Sequence, residues 1–423
     1  MEPRRTVLMI CDGMRADLVR PVLCPTIAGL RREGTGLDRH RSVFPSVTRT
    51  SSASMATGQH PGRHGLHGNT MALPRGGGYA VHNVGDPKFV GAMRGALGHT
   101  LRVPVTAQRL KDHGGAVLFS NVSPGAAYFH DPDGHGYVYH RAGSYGPGMA
   151  AVPDPLAVSH DAAGDAAMTA RFCDEVLAER RPRHAALWLA DPDMTMHASV
   201  LGSPEHLGAI AHVDACVARV AETVARLRDG GEDILFLLGS DHGQETTRDV
   251  VPVERLIYGA GFKRALDSDE IVVAPQGTSA LIYAAAGVTE NRLDDLAAWL
   301  AQQPWCGAVW AGDGLDEVGL AAEGGLRIAI SMAKSDSVNR HGIAGLSDVA
   351  VRFDRAEGKP GFGQHGGVGP YEQHPFLIAT GRGFPPGAAV TEVTSILDIA
   401  PTVLAHLGIP ADDMHGRALQ LRN

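Results

Sequence analysis

The sequence predicts an α/β fold, with a central, mainly parallel sheet flanked by helices and interrupted by a small inserted α/β cap module. Short apolar runs alternate with helical patterns over the first 245 residues, three of those runs end in acidic residues, and the texture changes after residue 250 and returns near 350. At 423 residues the chain is longer than one compact domain needs. It divides into 1–249, the first part of a core; 250–345, the insert; and 346–423, the second part of the core.

Residues 6–11 (TVLMIC) read as a buried strand, and residues 25–34 as a short helix with Pro25 in its first turn and Gly34 at its end. Residues 50–57 (TSSASMAT) suit a helix starting just after Thr48. The Gly/Pro-rich stretches 74–88 and 143–155 are expected as long loops over one face. Residues 184–190 and 233–239 are further buried strands. Between them, Ser203 can cap a long helix that Pro204 opens and Gly230-Gly231 close. Its stripe of Leu207, Ile210, Asp214, Val217, Val220, Val224 and Leu227 is apolar except for Asp214, so that face packs on a sheet. The insert shows strands at 271–274 and 279–285, a helix near 292–302, then GAVWAG and LRIAISM. The core resumes with HPFLIATG as a strand and SILDIAPTVLAHLG as a last helix.

A hydrophobic fraction of 44% and a charged fraction of 20% describe an ordinary globular protein. A net charge of −8 disfavours nucleic acid polymers and anionic membrane surfaces as partners, so an anionic substrate needs local positive charge. The first apolar run is six residues and ends at Asp12, too short for a signal-peptide core or a span, which points to the cytoplasm. Five scattered cysteines without a CxxC pair argue against a disulfide framework and against a thiolate metal site. With 21 histidines, a single histidine means little; only a constellation counts.

Such a constellation exists. One strand runs into Asp12, another into Asp191-Pro-Asp193, and a third into Asp241-His242-Gly243. Ligands of open α/β sheets bind at the carboxyl ends of strands. Adding His197, four residues past Asp193, and His365, in the glycine-flanked GQHGG, gives six carboxylate and imidazole donors. They suit zinc, manganese or iron. Two sets of three, each leaving an open position, describe a catalytic pair of metals. A helix starting near Thr48 would aim backbone N–H groups at an alkoxide or at phosphoryl oxygens.

Taken in order, CDGMR, FPSVTRTSSASMATGQHPGRHGLHGN, DPDMTMH, SDHGQ, GQHGG and the ending SILDIAPTVLAHLGIP resemble the alkaline phosphatase superfamily. The likeness is greatest to its nucleotide pyrophosphatase/phosphodiesterase branch, which also contains phosphonoacetate hydrolase. It runs from residue 6 to about 410, with an insertion before the last histidine. The resemblance implies an alkaline phosphatase-like sandwich and a two-metal hydrolase of phosphate or phosphonate esters that forms a phosphothreonine intermediate. It implies Thr48 as the nucleophile and Asn69 as the holder of a phosphoryl oxygen. Asp193, His197 and His365 would hold one divalent ion, and Asp12, Asp241 and His242 the other, with Thr48 between two ions that are zinc in the first place. His60, His64 and His67 are left as loop and supporting residues.

One position departs from the pattern. Many nucleotide-hydrolysing relatives carry an aromatic residue directly after the nucleophile, where this chain has Arg49. A guanidinium there suits a compact substrate with a second anionic group, or a salt bridge to a nearby carboxylate. The stretch AVLFSNVSPGAAYFHDP lacks the lysines with which phosphonoacetate hydrolase would meet its substrate carboxylate. A phosphonoacetate hydrolase-like C–P hydrolase and a small-substrate phosphomonoesterase stand as alternatives, and a non-enzymatic metal-dependent binding protein as a rival class. A sulfatase is disfavoured, because Thr48 cannot become formylglycine. The expected partner is a small phosphate or phosphonate anion; self-association into a homo-oligomer is left open.

Overall fold

The computed structural model describes residues 4–352 and 359–421. Arg5–Cys11 forms the middle of a ten-stranded sheet, with Ile234–Gly239 on one side and His184–Leu189 on the other, both parallel to it. Beyond His184–Leu189 lie Ala116–Ser120 and Tyr137–His140, again parallel. Beyond Ile234–Gly239 come antiparallel Leu377–Thr380, then Thr35–Arg41 and Ala389–Ser395. The central strands are buried on both faces, as continuous apolar runs such as VLMIC and ILFLL require.

Two apolar layers cover those faces. Pro204–Asp229 packs Ile210, Val213, Val217, Val220 and Val224 against Val7, Met9, Phe236 and Leu238. Ser203 caps it by accepting from the His206 N–H. The polar break in its stripe has a use, for Asp214 accepts hydrogen bonds from the Thr26 and Ile27 N–H groups at 3.0 and 2.8 Å. It thereby caps the neighbouring Pro25–Glu33 helix, whose own N-cap position is Cys24 and supplies no side-chain bond. On the opposite face, Thr48–Thr57 and Ile399–Leu407 pack against Leu8, Ile10 and Trp188.

A second, antiparallel sheet of Ile271–Pro275, Ser279–Ala284, Leu326–Met332 and Cys306–Ala311 carries the Glu290–Ala301 helix and has its own apolar cluster. A third sheet joins Lys334–Val338 and Ala344–Ala350 to Glu245–Val251 and Gly363–Gln364.

The expectation of long loops at 74–88 and 143–155 is corrected. Thr70–Arg75 and Gly78–Asn83 form a hairpin, turned by Gly76 and Gly77 at φ of +58° and +95°. Only glycine takes two successive left-handed positions without strain, so the glycine pair marks a tight two-residue turn. The second stretch contains two-residue strands, Tyr145–Gly146 and Ala150–Ala151, on the sheet edge. Among the described residues, no helix is long and apolar enough to cross a membrane, and all five cysteines are free thiols.

Candidate metal centre and active site

Three adjacent parallel strands bring the acidic strand ends together. Cys11 lies opposite Leu189 and Ile10 opposite Gly239, so Asp12, Asp193 and Asp241 leave the same edge of the sheet. Gly13, at φ +66°, donates its N–H to Asp241 Oδ1 at 3.1 Å. A Cβ at Gly13 would stand 2.9 Å from the Cβ and Oδ1 of Asp193, so only glycine allows this approach. Gln364, paired with Glu245 just beyond Asp241-His242, places His365 beside them.

The imidazoles are oriented by backbone carbonyls. His242 Nδ1 donates to the Gly243 carbonyl at 2.9 Å, and His365 Nδ1 to the Ser46 carbonyl at 2.8 Å. Each Nε2 is thereby left as a lone pair aimed at the carboxylates. His242 Nε2 is 3.1 Å from Asp241 Oδ2 and 3.5 Å from Asp12 Oδ1; His365 Nε2 is 3.5 Å from Asp193 Oδ1. Asp12 Oδ1 and Asp241 Oδ2 are buried and receive no hydrogen bond. Converging acceptors without a donor repel one another, and a cation relieves that repulsion. The donor chemistry therefore fits a divalent ion.

Asp12, Asp241 and His242 make one group close enough to grip an ion; Asp193, His242 and His365 make another. His242 stands in both. His197 lies outside these two groups but against them, its Nε2 3.3 Å from Asp193 Oδ2, and the His242 and His365 rings stack at 3.7 Å.

The electrostatics follow from crowding. Burial raises the Asp12 pKa, and Asp241 and Asp193 raise it further. Burial likewise raises Asp241, against the pull of His242. At Asp193 burial also pushes upward, but His197, His365 and His242 prevail and hold the carboxyl below its usual range. Burial and the nearby His242 lower His365. For His197, Asp193 overcomes the desolvation and raises the pKa.

Thr48 opens the Thr48–Thr57 helix and is buried. Its Oγ1 is 3.1 Å from His242 Nε2, the acceptor, so the hydroxyl donates there. Asn69 Oδ1 accepts from the Arg49 N–H at 3.2 Å, which leaves its NH2 as the donating end. Gln276, from the second sheet, fixes Asn69 by accepting its N–H at 2.6 Å. The Arg49 guanidinium donates to Ser123 Oγ at 3.0 Å and to the Asn69 carbonyl at 3.2 Å. Among the described residues no carboxylate pairs with it, and burial lowers its pKa to about 10.

A cavity of about 340 Å³ opens onto Asp12, Thr48, Arg49, Asn69, Asp193, His197 and His365. An adjoining one of about 440 Å³ shares Arg49, Asn69, His197 and His365 and reaches Gln276. A larger groove, about 490 Å³, lies elsewhere, along Arg41–Phe44 and Val393–Ser395. His60, His64 and His67 do not join the donors: His64 Nε2 meets Ser54 Oγ and His67 Nδ1 meets the Tyr283 hydroxyl, both at 3.0 Å. Sequence reasoning missed Ser123, Arg141 and His160 in the smaller cavity, and Gln276. Ser123 and Arg141 each follow a parallel strand, a signal open to the argument already applied to the aspartates. Gln276 sits on a remote sheet and carried no signal.

The family model described as type I phosphodiesterase / nucleotide pyrophosphatase matches residues 6–306. The chain belongs to that family, within the alkaline phosphatase superfamily. No curated protein matches the sequence. Murine ectonucleotide pyrophosphatase / phosphodiesterase 5, solved with AMP as an inactive threonine-to-alanine variant, superposes with a TM-score of 0.68 at 17% identity, covering 98% of this chain and 97% of that one. The human protein of the same name gives 0.66 at 17%, covering 98% and 97%. Phosphonoacetate hydrolase from Sinorhizobium meliloti 1021, in complex with phosphonoformate, gives 0.67 at 18%, covering 96% of each chain. The fold is that of these proteins, and the family is one of phosphodiesterases and nucleotide pyrophosphatases.

Proposed function

We propose that this chain hydrolyses phosphate or phosphonate esters with Thr48 as nucleophile and two divalent metal ions, zinc in the first place, as resident cofactors. The observation that carries the reading is the Thr48 hydroxyl, which opens a helix 3.1 Å from an imidazole lone pair in the midst of unpartnered buried carboxylate oxygens. Asp12, Asp241 and His242 would hold one ion; Asp193 and His365, with His197 alongside, would hold the other. Bound there, the ions would supply Lewis acidity and lower the pKa of the Thr48 hydroxyl.

The chain's own groups account for the rest. The helix N-terminus and the Asn69 NH2 hold the phosphoryl oxygens as their charge grows. Thr48 Oγ1, its proton lost to solvent, forms a bond to phosphorus as the bond to the leaving oxygen breaks, and that oxygen departs with a proton taken from water. Water then cleaves the phosphothreonine, releasing the phosphate or phosphonate and restoring the hydroxyl. A relative that is inactive with a threonine replaced by alanine is in keeping with this role.

C–P bond hydrolysis is the second reading, favoured by the likeness to phosphonoacetate hydrolase and weakened by the missing lysines between residues 116 and 132. Release of p-nitrophenol from bis-p-nitrophenyl phosphate, p-nitrophenyl phosphate and p-nitrophenyl phenylphosphonate, with and without chelator, tests the main proposal. Chelator-sensitive turnover is expected. Failure to turn over any of the three, with metal bound as measured by mass spectrometry, would leave the metal-dependent binding protein as the reading.

A further inference from the structure

The carboxyl edge of the main sheet changes sign along its length. From Ile234–Gly239 the strands run through Arg5–Cys11, His184–Leu189 and Ala116–Ser120 to Tyr137–His140, all parallel. Their ends deliver Asp241, then Asp12, then Asp193, then Ser123, and last Arg141. Ser120 faces both Trp188 and His140, so Arg141 emerges nearly level with the aspartates. Three strand spacings separate Asp12 from Arg141, about 14 Å between main chains. Long side chains close much of that gap.

Arg141 and Arg49 line the same cavity of about 340 Å³ as Thr48 and Asp193. Arg141 Nη1 donates to the Asn121 and Val122 carbonyls at 3.1 and 2.7 Å, which pins the side chain. Neither arginine has a carboxylate within ion-pair distance among the described residues. Arg49 is anchored by Ser123 and by the Asn69 carbonyl, which are neutral. His160 also lines it, with burial and then Arg141 lowering its pKa, so it adds a polar group more than a charge. Two guanidiniums line one small cavity, each anchored by neutral acceptors, while Asp12, Asp193 and Asp165 act on them only from beyond ion-pair distance; an anionic group in the cavity can pair with both directly. No Phe, Tyr or Trp lines this cavity, so it lacks the large aromatic faces that suit a nucleobase best.

We propose that Arg49 and Arg141 form a second anion subsite, and that the substrate is a compact phosphate or phosphonate carrying another anionic group, carboxylate or phosphate, a few bonds from the reacting phosphorus. The inference rests on the proposed hydrolase reading for its reacting end, but the subsite can be measured without turnover.

Calorimetry on metal-loaded protein would compare propylphosphonate, 3-phosphonopropionate and 1,3-propylenediphosphonate, which share one phosphonate and differ in the far group. Either dianionic ligand should bind at least about tenfold more tightly than propylphosphonate, the size of one charge-assisted contact. Whichever ligand gains more identifies the far group. Arg141→Gln should remove most of that preference and Arg141→Lys should restore part of it, both with a melting temperature close to wild type. Equal binding of all three ligands, or a preference unchanged in a folded Arg141→Gln variant, would overturn the subsite. Inactivity of the protein towards every ester would overturn the hydrolase reading, and these binding results would still decide the subsite.

Discussion

At Thr48, two structural demands coincide on one side chain. It must open a helix, and it must hold its hydroxyl against His242 in a buried site. Valine is nearly the same shape without the oxygen; alanine removes the oxygen together with the γ-methyl. Thr48→Ala should therefore lower kcat by three or more orders of magnitude, about 4 kcal/mol of transition-state stabilisation, while bound metal stays at wild-type stoichiometry. Near-normal turnover in that variant would dismiss Thr48 as nucleophile. Asp241→Ala should behave differently. Its carboxylate belongs to the Asp12–Asp241–His242 group, so we expect loss of both activity and metal, read by mass spectrometry on the purified protein. Full metal content in Asp241→Ala would show that the centre is held by other groups.

The helices and strands show how far a one-dimensional reading goes. The long helix was legible from its stripe and its caps, because period and capping are local properties. Asp214 was visible only as an exception in that stripe. Its role depends on another helix, nearly two hundred residues earlier in the chain, whose N–H groups it accepts. Asp214→Ala should destabilise the protein by about 1–3 kcal/mol, with Asp214→Asn intermediate, measured as denaturant midpoints; no change would mean that water replaces the cap. The 74–88 stretch was misread because its glycines suggested irregularity, whereas Gly76-Gly77 is the turn of a hairpin.

A pH effect belongs to the element that joins the sheets. Burial, and then the neighbouring Glu372, raise the Glu245 pKa from 4.5 to about 7, with Lys334 pulling the other way. The fold thus favours the protonated carboxyl. That contribution to stability is full below pH 4.5 and fades as pH rises through about 7. Glu245→Gln should flatten the fall in melting temperature across this window. A slope as steep as wild type in the variant would place its origin elsewhere.

For the molecule as a whole, the crowd of carboxylates at one sheet edge predicts a response to metal. Removing divalent ions should lower the melting temperature, because Asp12, Asp193 and Asp241 would face one another uncompensated; adding zinc back should raise it in step with the logarithm of free metal. A melting temperature indifferent to chelator would argue against a resident ion.

The sequence by itself determined the fold class, the strands that end in aspartates, and the run around Thr48, since these depend on periodicity and on short ordered motifs. Only the tertiary structure decided which groups face which. His242 stands between both donor groups, Gln276 reaches Asn69 from another sheet, and Arg141 shares a cavity with Thr48. Those relations follow from strand order and packing, which bring distant segments together. No local pattern in the chain records that order.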